Sequence, residues 1–246
     1  MSALSTLART EARLFVREPA SLFWIVAFPP LLLGILGAVP AFRRPSQDLG
    51  GLRVVDLYVP VTILLSAIMA GVQTMPAVLA GYREQRVLRR IATTPARPWQ
   101  LLAAQYVLHA AAVAVGALLV SVLGLLALDV RVPGSAGAYV LVLVLALAAC
   151  LAAGGVISGL APSGRAATTV GTVVFLPMMF TAGVWVPVRV MPGLLGDVVG
   201  LTPMGAAALA LDQAAAGSWP ALSHLAVLAG WTAALGAAAA RCFRWQ

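Results

Sequence analysis

Lysine is absent from this sequence, and all sixteen of its basic residues are arginine. A phosphate-binding loop of the Walker type ends in Gly-Lys-Ser/Thr, so the chain carries no such nucleotide site of its own. Acidic residues are also scarce, eight in all, and Asp56 and Asp212 fall at span boundaries, whereas proton-coupled carriers place carboxylates deep in a span. The two histidines, His109 and His224, lie far apart, and neither His-Glu-x-x-His nor Gly-x-Ser-x-Gly occurs. That argues against an intramembrane hydrolase or metal enzyme. Cys150 lies in an apolar run and Cys242 near the C-terminal end, without metal-ligand spacing. Both are expected as free thiols.

What is present is apolar. Hydrophobic residues make up 61% of the 246 positions and charged residues 10%, with a mean hydropathy of +0.98. That leaves too little polar surface for a soluble domain and points to a polytopic membrane protein. The net charge of +8 raises nucleic acid as a partner, but no stacking aromatics interleave with the arginines. No nucleic-acid partner is expected, and anionic membrane lipid is the natural counter-charge.

Residues 2–21 alternate Leu4, Leu7, Leu14 and Phe15 with Arg9, Glu11, Arg13, Arg17 and Glu18, which predicts an interfacial helix. No small-residue cleavage site follows, so a cleavable signal peptide is not expected. Six spans follow by hydropathy, over 22–39, 57–80, 101–128, 138–160, 166–186 and 220–240. Phe28-Pro29-Pro30 predicts a kink in the first, Met75-Pro76 a break at the end of the second, and Pro177 a bend in the fifth. Gln73 is a polar position expected to face protein through an interhelical hydrogen bond, while Gln105 and His109 lie near the start of the third span, where a lone His at a membrane boundary is expected to be structural. Ala152-Ala153-Gly154-Gly155 and Ser158-Gly159 permit close helix approach. From 187 to 217 the apolar pieces, broken by Pro187, Pro192 and Pro203 among others, are too short to cross the ~30 Å core. A re-entrant helical hairpin is expected there.

The dense charge lies between spans two and three, where Arg83, Arg86, Arg89, Arg90 and Arg97 punctuate residues 81–99. Helical spacing puts Arg83, Arg86 and Arg90 on one side, with Val87, Leu88 and Ile91 as apolar contacts and Pro95 as a stop. Spacing alone favours the plainer reading, a basic loop that only fixes orientation. With six spans both termini share a side. That side carries eleven arginines (9, 13, 17, 83, 86, 89, 90, 97, 165, 241, 244) against five (43, 44, 53, 131, 189), so termini and basic stretch are expected in the cytoplasm. Asp48 and Asp56 are expected to offset Arg43 and Arg44.

The order Arg83-Glu84, Leu88, Arg90-Ile91, Thr94-Pro95 and Leu101-Leu102 resembles the pattern between spans two and three of ABC-2 type transporter permeases, above all bacterial daunorubicin-type drug exporters. Phe175-Leu176-Pro177 with Gly183, Pro187, Met191-Pro192 and Thr202-Pro203, and the terminal Phe243-Arg244-Trp245, extend the resemblance over nearly the whole chain. Arg86 stands where the family usually has glycine.

The resemblance implies one all-α transmembrane domain over 1–246, with a cytoplasmic coupling helix at 82–96 and an extracellular re-entrant hairpin at 187–217. It would be a subunit without enzymatic activity or cofactor, in a multi-pass arrangement in the bacterial cell membrane. ATP and Mg²⁺ would sit on a separate cytoplasmic ABC ATPase, and two permeases would join two ATPases. Implied coupling residues are Arg83, Glu84, Arg86, Leu88, Arg90, Thr94 and Pro95; Pro187, Pro192 and Pro203 would shape the outer gate. Gln73, Phe175, Met178 and Met179 are the candidate substrate path. Apolar spans favour export of a hydrophobic or amphipathic drug, antibiotic or lipid. Polysaccharide or peptide export, and a non-transport scaffold or immunity protein, stay open.

Overall fold

The computed structural model describes residues 3–85 and 98–242, and every regular element among them is helical. An amphipathic helix, α1 (Ala3–Val16), is followed by α2 (Pro19–Ala38), α3 (Val54–Glu84), α4 (Pro98–Ala127), α5 (Ala136–Leu160) and α6 (Gly164–Thr181). Two short helices, α7 (Gly193–Gly200) and α8 (Pro203–Ala215), precede α9 (Leu222–Cys242).

The prolines shape the helices without breaking them. Pro29 and Pro30 lack N–H groups, so α2 widens into a π-helical turn over Phe23–Ala27 immediately before them. The same device, Met69–Thr74, precedes Pro76 in α3. The expected break at Met75-Pro76 is therefore a π turn inside one continuous 31-residue helix. That helix also runs past the expected span end at 80, so Tyr82, Arg83 and Glu84 form its last turn and not the start of a separate coupling helix. The remainder of the expected 82–96 helix lies outside the described residues.

Contacts between helix ends define two ends of the bundle. At one, Gly159 of α5 lies beside Cys242 of α9, and Gly164 of α6 beside Ala77 and Gly81 of α3. We call this the terminal end, because α1 packs there. At the other, the loop end, the backbone N–H groups of Gly134 and Ser135 donate to the carbonyls of Ala215 and Ala214, at 3.2 and 3.0 Å. Arg43 donates to the Gly37 carbonyl at 2.5 Å, and Asp56 is ion-paired to Arg53 at 2.7 Å. The expected offset of Arg43 and Arg44 by Asp56 is thus replaced by a local pair that starts α3.

Among the described residues, five helices are long and apolar enough to cross a membrane: α2, α3, α4, α5 and α9. α6 is not among them, because Arg165, Thr168, Thr169, Thr172 and Thr181 dilute its 18 residues. Its packing nevertheless carries it along α3. Gly164 faces Gly81, Gly171 faces Val72, and the carbonyl of Val184, just beyond α6, accepts a hydrogen bond from the Tyr58 hydroxyl at 2.9 Å. From Tyr58 to Gly81 is about 35 Å of helix, so α6 and its extension cover the depth of the bundle.

α3 is the central helix. Outward faces, including Leu118, Leu119 and Val122 of α4, Val140 and Val144 of α5 and Trp231 of α9, are apolar and exposed, as a surface meant for lipid requires.

Candidate functional site

The basic segment that carries the coupling pattern connects α3 to α4, and its two stems are held in a collar at the terminal end. On the α3 side, the Arg83 guanidinium donates to the carbonyl of Gly159 at 2.9 Å and to that of Ala161, closing over the end of α5. Those carbonyls have no partner within their own helix, and a guanidinium suits them. Glu84 accepts from the N–H of Gly164 at 3.1 Å, placing its charge at the positive end of α6. Ser163 caps the same helix, its hydroxyl accepting from the Ala166 N–H at 3.2 Å. Adjacent Arg83 and Glu84 thereby grip the two sides of the α5–α6 turn.

A second clasp joins both stems to α1. Glu11 is buried, 6% exposed, on a helix whose Arg9 and Arg13 are exposed, as is Arg17 just beyond it. One of its carboxylate oxygens accepts from the Tyr82 hydroxyl at 2.8 Å and the Gln105 amide at 2.6 Å. Tyr82 precedes the basic segment and Gln105 follows it. Below them the Phe15 ring meets buried His109 edge-on at 5.2 Å, and the His109 Nδ1 sits 2.9 Å from the Gln105 carbonyl. Glu11 and Tyr82 were not legible as site residues, because their partners lie 71 and 94 positions away. The one available signal is an acid amid the apolar positions of an amphipathic helix. Arg86, Leu88, Arg90, Thr94 and Pro95 lie outside the described residues.

At mid-depth the Gln73 amide donates to the Thr172 hydroxyl of α6 at 3.4 Å, an interhelical contact as expected, though a long one. Phe175 and Met178 turn toward the core, and Met179 is half-buried. The exposed side of α6 instead presents Thr168, Thr172, Val173, Leu176 and Pro177.

Where a re-entrant hairpin is expected, the structure has α7 and α8 meeting at 99°, a bend that fits a broken span or a re-entrant loop. Thr202 caps α8 by accepting from the Gly205 N–H at 3.1 Å, and Pro203 takes the first helical position, where no N–H is required. The bend lies well inside the bundle. Met204 packs 3.7 Å from Cys150, and the Trp231 indole donates to the Leu201 carbonyl at 2.9 Å. Pro187 and Val188 return to the loop end beside Pro60 and Asp212. There Arg53 staples two spans, pairing with Asp56 while donating to the carbonyls of Leu128 and Asp129 at 3.0 and 2.8 Å. The bond to Asp56 holds its guanidinium proton more firmly than usual, raising its pKa.

Sequence comparison decides what this bundle is. The family model of the ABC-2 type transporter matches residues 2–211. The chain belongs to the ABC-2 type transporter family. No curated protein matches it. As an ABC-2 chain it is a multi-pass membrane component, not a nucleotide-binding domain, and its family implies association with an ABC ATPase subunit. The match includes α1, the collar and most of α8, and ends before α9. Among the described residues no group of three or more His, Cys, Asp or Glu side chains could hold a metal ion.

Proposed function

We propose that this ABC-2 chain is the permease half of an ATP-driven exporter in a bacterial cell membrane, with residues 86–97 docking onto a separate cytoplasmic ATPase. The observation that carries this reading is the collar. Both stems of the segment are bonded to α1 through Glu11, and its α3 stem is bonded to the α5–α6 turn through Arg83 and Glu84. A push on the segment would therefore reach α1, α3, α4, α5 and α6 together, which a topogenic loop does not need. Two permeases and two ATPases would form the working unit, with access alternating as the nucleotide-binding pair closes.

The arginine excess at the terminal end supports a cytoplasmic location for it. Hydrophobic or amphipathic cargo, a drug, antibiotic or lipid, is the class that suits the apolar spans, and the exposed side of α6 with Gln73 and Thr172 is the proposed path. The bent α7–α8 pair would close the outer end, with Pro187, Pro192 and Pro203 setting its turns.

The test is to scramble the order of residues 86–95 while keeping every arginine, since orientation counts charge and ignores order. The variant is expected to insert normally but to lose co-purification with its ATPase and cargo-stimulated ATP hydrolysis. Retention of both at the original level would reduce the segment to an orientation signal.

A further inference from the structure

A cavity of about 810 Å³ opens at the loop end, between the start of α3, the end of α4, the α4–α5 loop and the end of α8. This size falls in the ~300–1,000 Å³ range of small-molecule sites. Its walls are largely apolar, with Val59, Val122 and Leu125 among them, and its polar part holds Arg53, Asp56, Asp129, Arg131, Arg189 and Asp212.

These charges fall into two sets. Arg53 and Asp56 satisfy each other, and the remaining Arg53 donors go to backbone carbonyls. The side chains of Arg131, Arg189, Asp129 and Asp212 have no hydrogen bond or ion pair among the described residues, where Arg53–Asp56 is the one ion pair. Asp212 feels the charge of Arg189 and Arg53 that of Asp129, yet no salt bridge joins either pair. Behind them stands Tyr139, only 7% exposed and without a hydrogen-bond partner for its hydroxyl. That hydroxyl is not sealed among protein atoms, unlike the unpaired Gln105 Oε1 and His109 Nε2, and Tyr139 lines the cavity. A buried hydroxyl open to a cavity and lacking a partner is a vacancy for an acceptor or donor brought by a ligand.

We propose that this cavity binds the head of a zwitterionic phospholipid. Its phosphate is met by Arg131 and Arg189, its amine by Asp129 and Asp212, and its acyl chain lies along the apolar wall. Two guanidinium groups and two carboxylates without a hydrogen bond or ion pair call for both signs of charge in one ligand. A purely anionic head would leave Asp129 and Asp212 without partners and bring a third negative group beside them. The Tyr139 hydroxyl donates to a phosphate or ester oxygen at the inner edge. This site lies away from the collar, and its occupancy requires neither ATP nor a partner subunit.

The experiment is native mass spectrometry of the purified full chain in mixed micelles. These hold equal amounts of dioleoyl phosphatidylethanolamine and dioleoyl phosphatidylglycerol, with a separate arm containing only water-soluble phosphoethanolamine. The expected result is one retained ethanolamine lipid, favoured about tenfold over the glycerol lipid, and no retained phosphoethanolamine at the same concentration. Arg131 and Arg189 are exposed, so changing them does not disturb the core. Together, Arg131→Gln and Arg189→Gln should lower lipid retention about tenfold, and Tyr139→Phe, which keeps the ring, about threefold. Equal retention of the two lipids would overturn the zwitterion, and phosphoethanolamine binding as tight as the lipid would overturn the amphiphile. Wild-type retention by the double arginine variant would overturn the site.

Discussion

A carbonyl four or five residues before a proline has no donor in its own helix, and inside a bilayer no water replaces it. Ile25 is in that position twice over, because the residues that would donate to it are Pro29 and Pro30. Its carbonyl is instead bonded by the Ser66 hydroxyl of α3 at 2.7 Å, and Gly116 of α4 lies close against both. The proline pair was legible as a disturbance of the helix, but Ser66 sits in an unbroken apolar run and belongs to no motif. Ser66→Ala should destabilise the chain by about 1 kcal/mol, the scale of interhelical hydrogen bonds in membranes, with Ser66→Thr recovering most of the loss. Reversible unfolding in mixed micelles measures this. A wild-type unfolding free energy for Ser66→Ala would mean that Ile25 is satisfied by another route.

At the scale of elements, helix association in lipid depends on close approach, since burying leucine in protein gains little over leaving it in lipid. The π turn of α3 frees the carbonyls of Gly71 and Val72, the two that the missing Pro76 N–H would have faced. Each lies against a glycine of a neighbouring helix, Gly71 against Gly154 of α5 and Val72 against Gly171 of α6. A Cβ at Gly154 would overlap the Gly71 carbonyl, with the Met75 side chain at 2.8 Å, so α3 and α5 would have to part. Gly230 of α9, in contrast, has nothing within 4 Å of its would-be Cβ. Gly154→Val should therefore cost at least about 1–3 kcal/mol and reduce the yield of monodisperse protein in detergent, while Gly230→Val keeps the wild-type yield. Equal yields from the two variants would refute the seam. The run at Gly154-Gly155 announced tight packing, but which glycine meets which carbonyl depends on the register between helices, and no local pattern sets that.

For the whole molecule, α1 and the end of α9 lie at one end of the bundle and the loops after α2, α4 and α8 at the other. Single cysteines at Gln47 and Ala216 should react with a membrane-impermeant maleimide from outside intact cells. One at Pro162 should react only after permeabilisation, all in a Cys242→Ser background; all three positions are exposed. Labelling of Pro162→Cys in intact cells would reverse the proposed orientation. Composition and periodicity by themselves determined that the chain is a helical membrane protein, how its charge is distributed, and, through the motif between spans two and three, which family it resembles. These are sums over neighbouring residues, and a local sum suffices for them. Hydropathy could not tell α3 from α9, apolar helices of which one is 83% buried in its most apolar window and the other 6%, because it measures preference for an apolar medium and not whether that medium is protein or lipid. The expected fifth span, 166–186, is α6, less apolar than the others; its threonines satisfy their hydroxyls on their own backbone, and it is its fit to α3 that holds it in the bundle. The Glu11 clasp, the Ser66 bond and the cavity at the loop end were decided only by tertiary packing, since each joins groups tens of residues apart that meet when helices find their register.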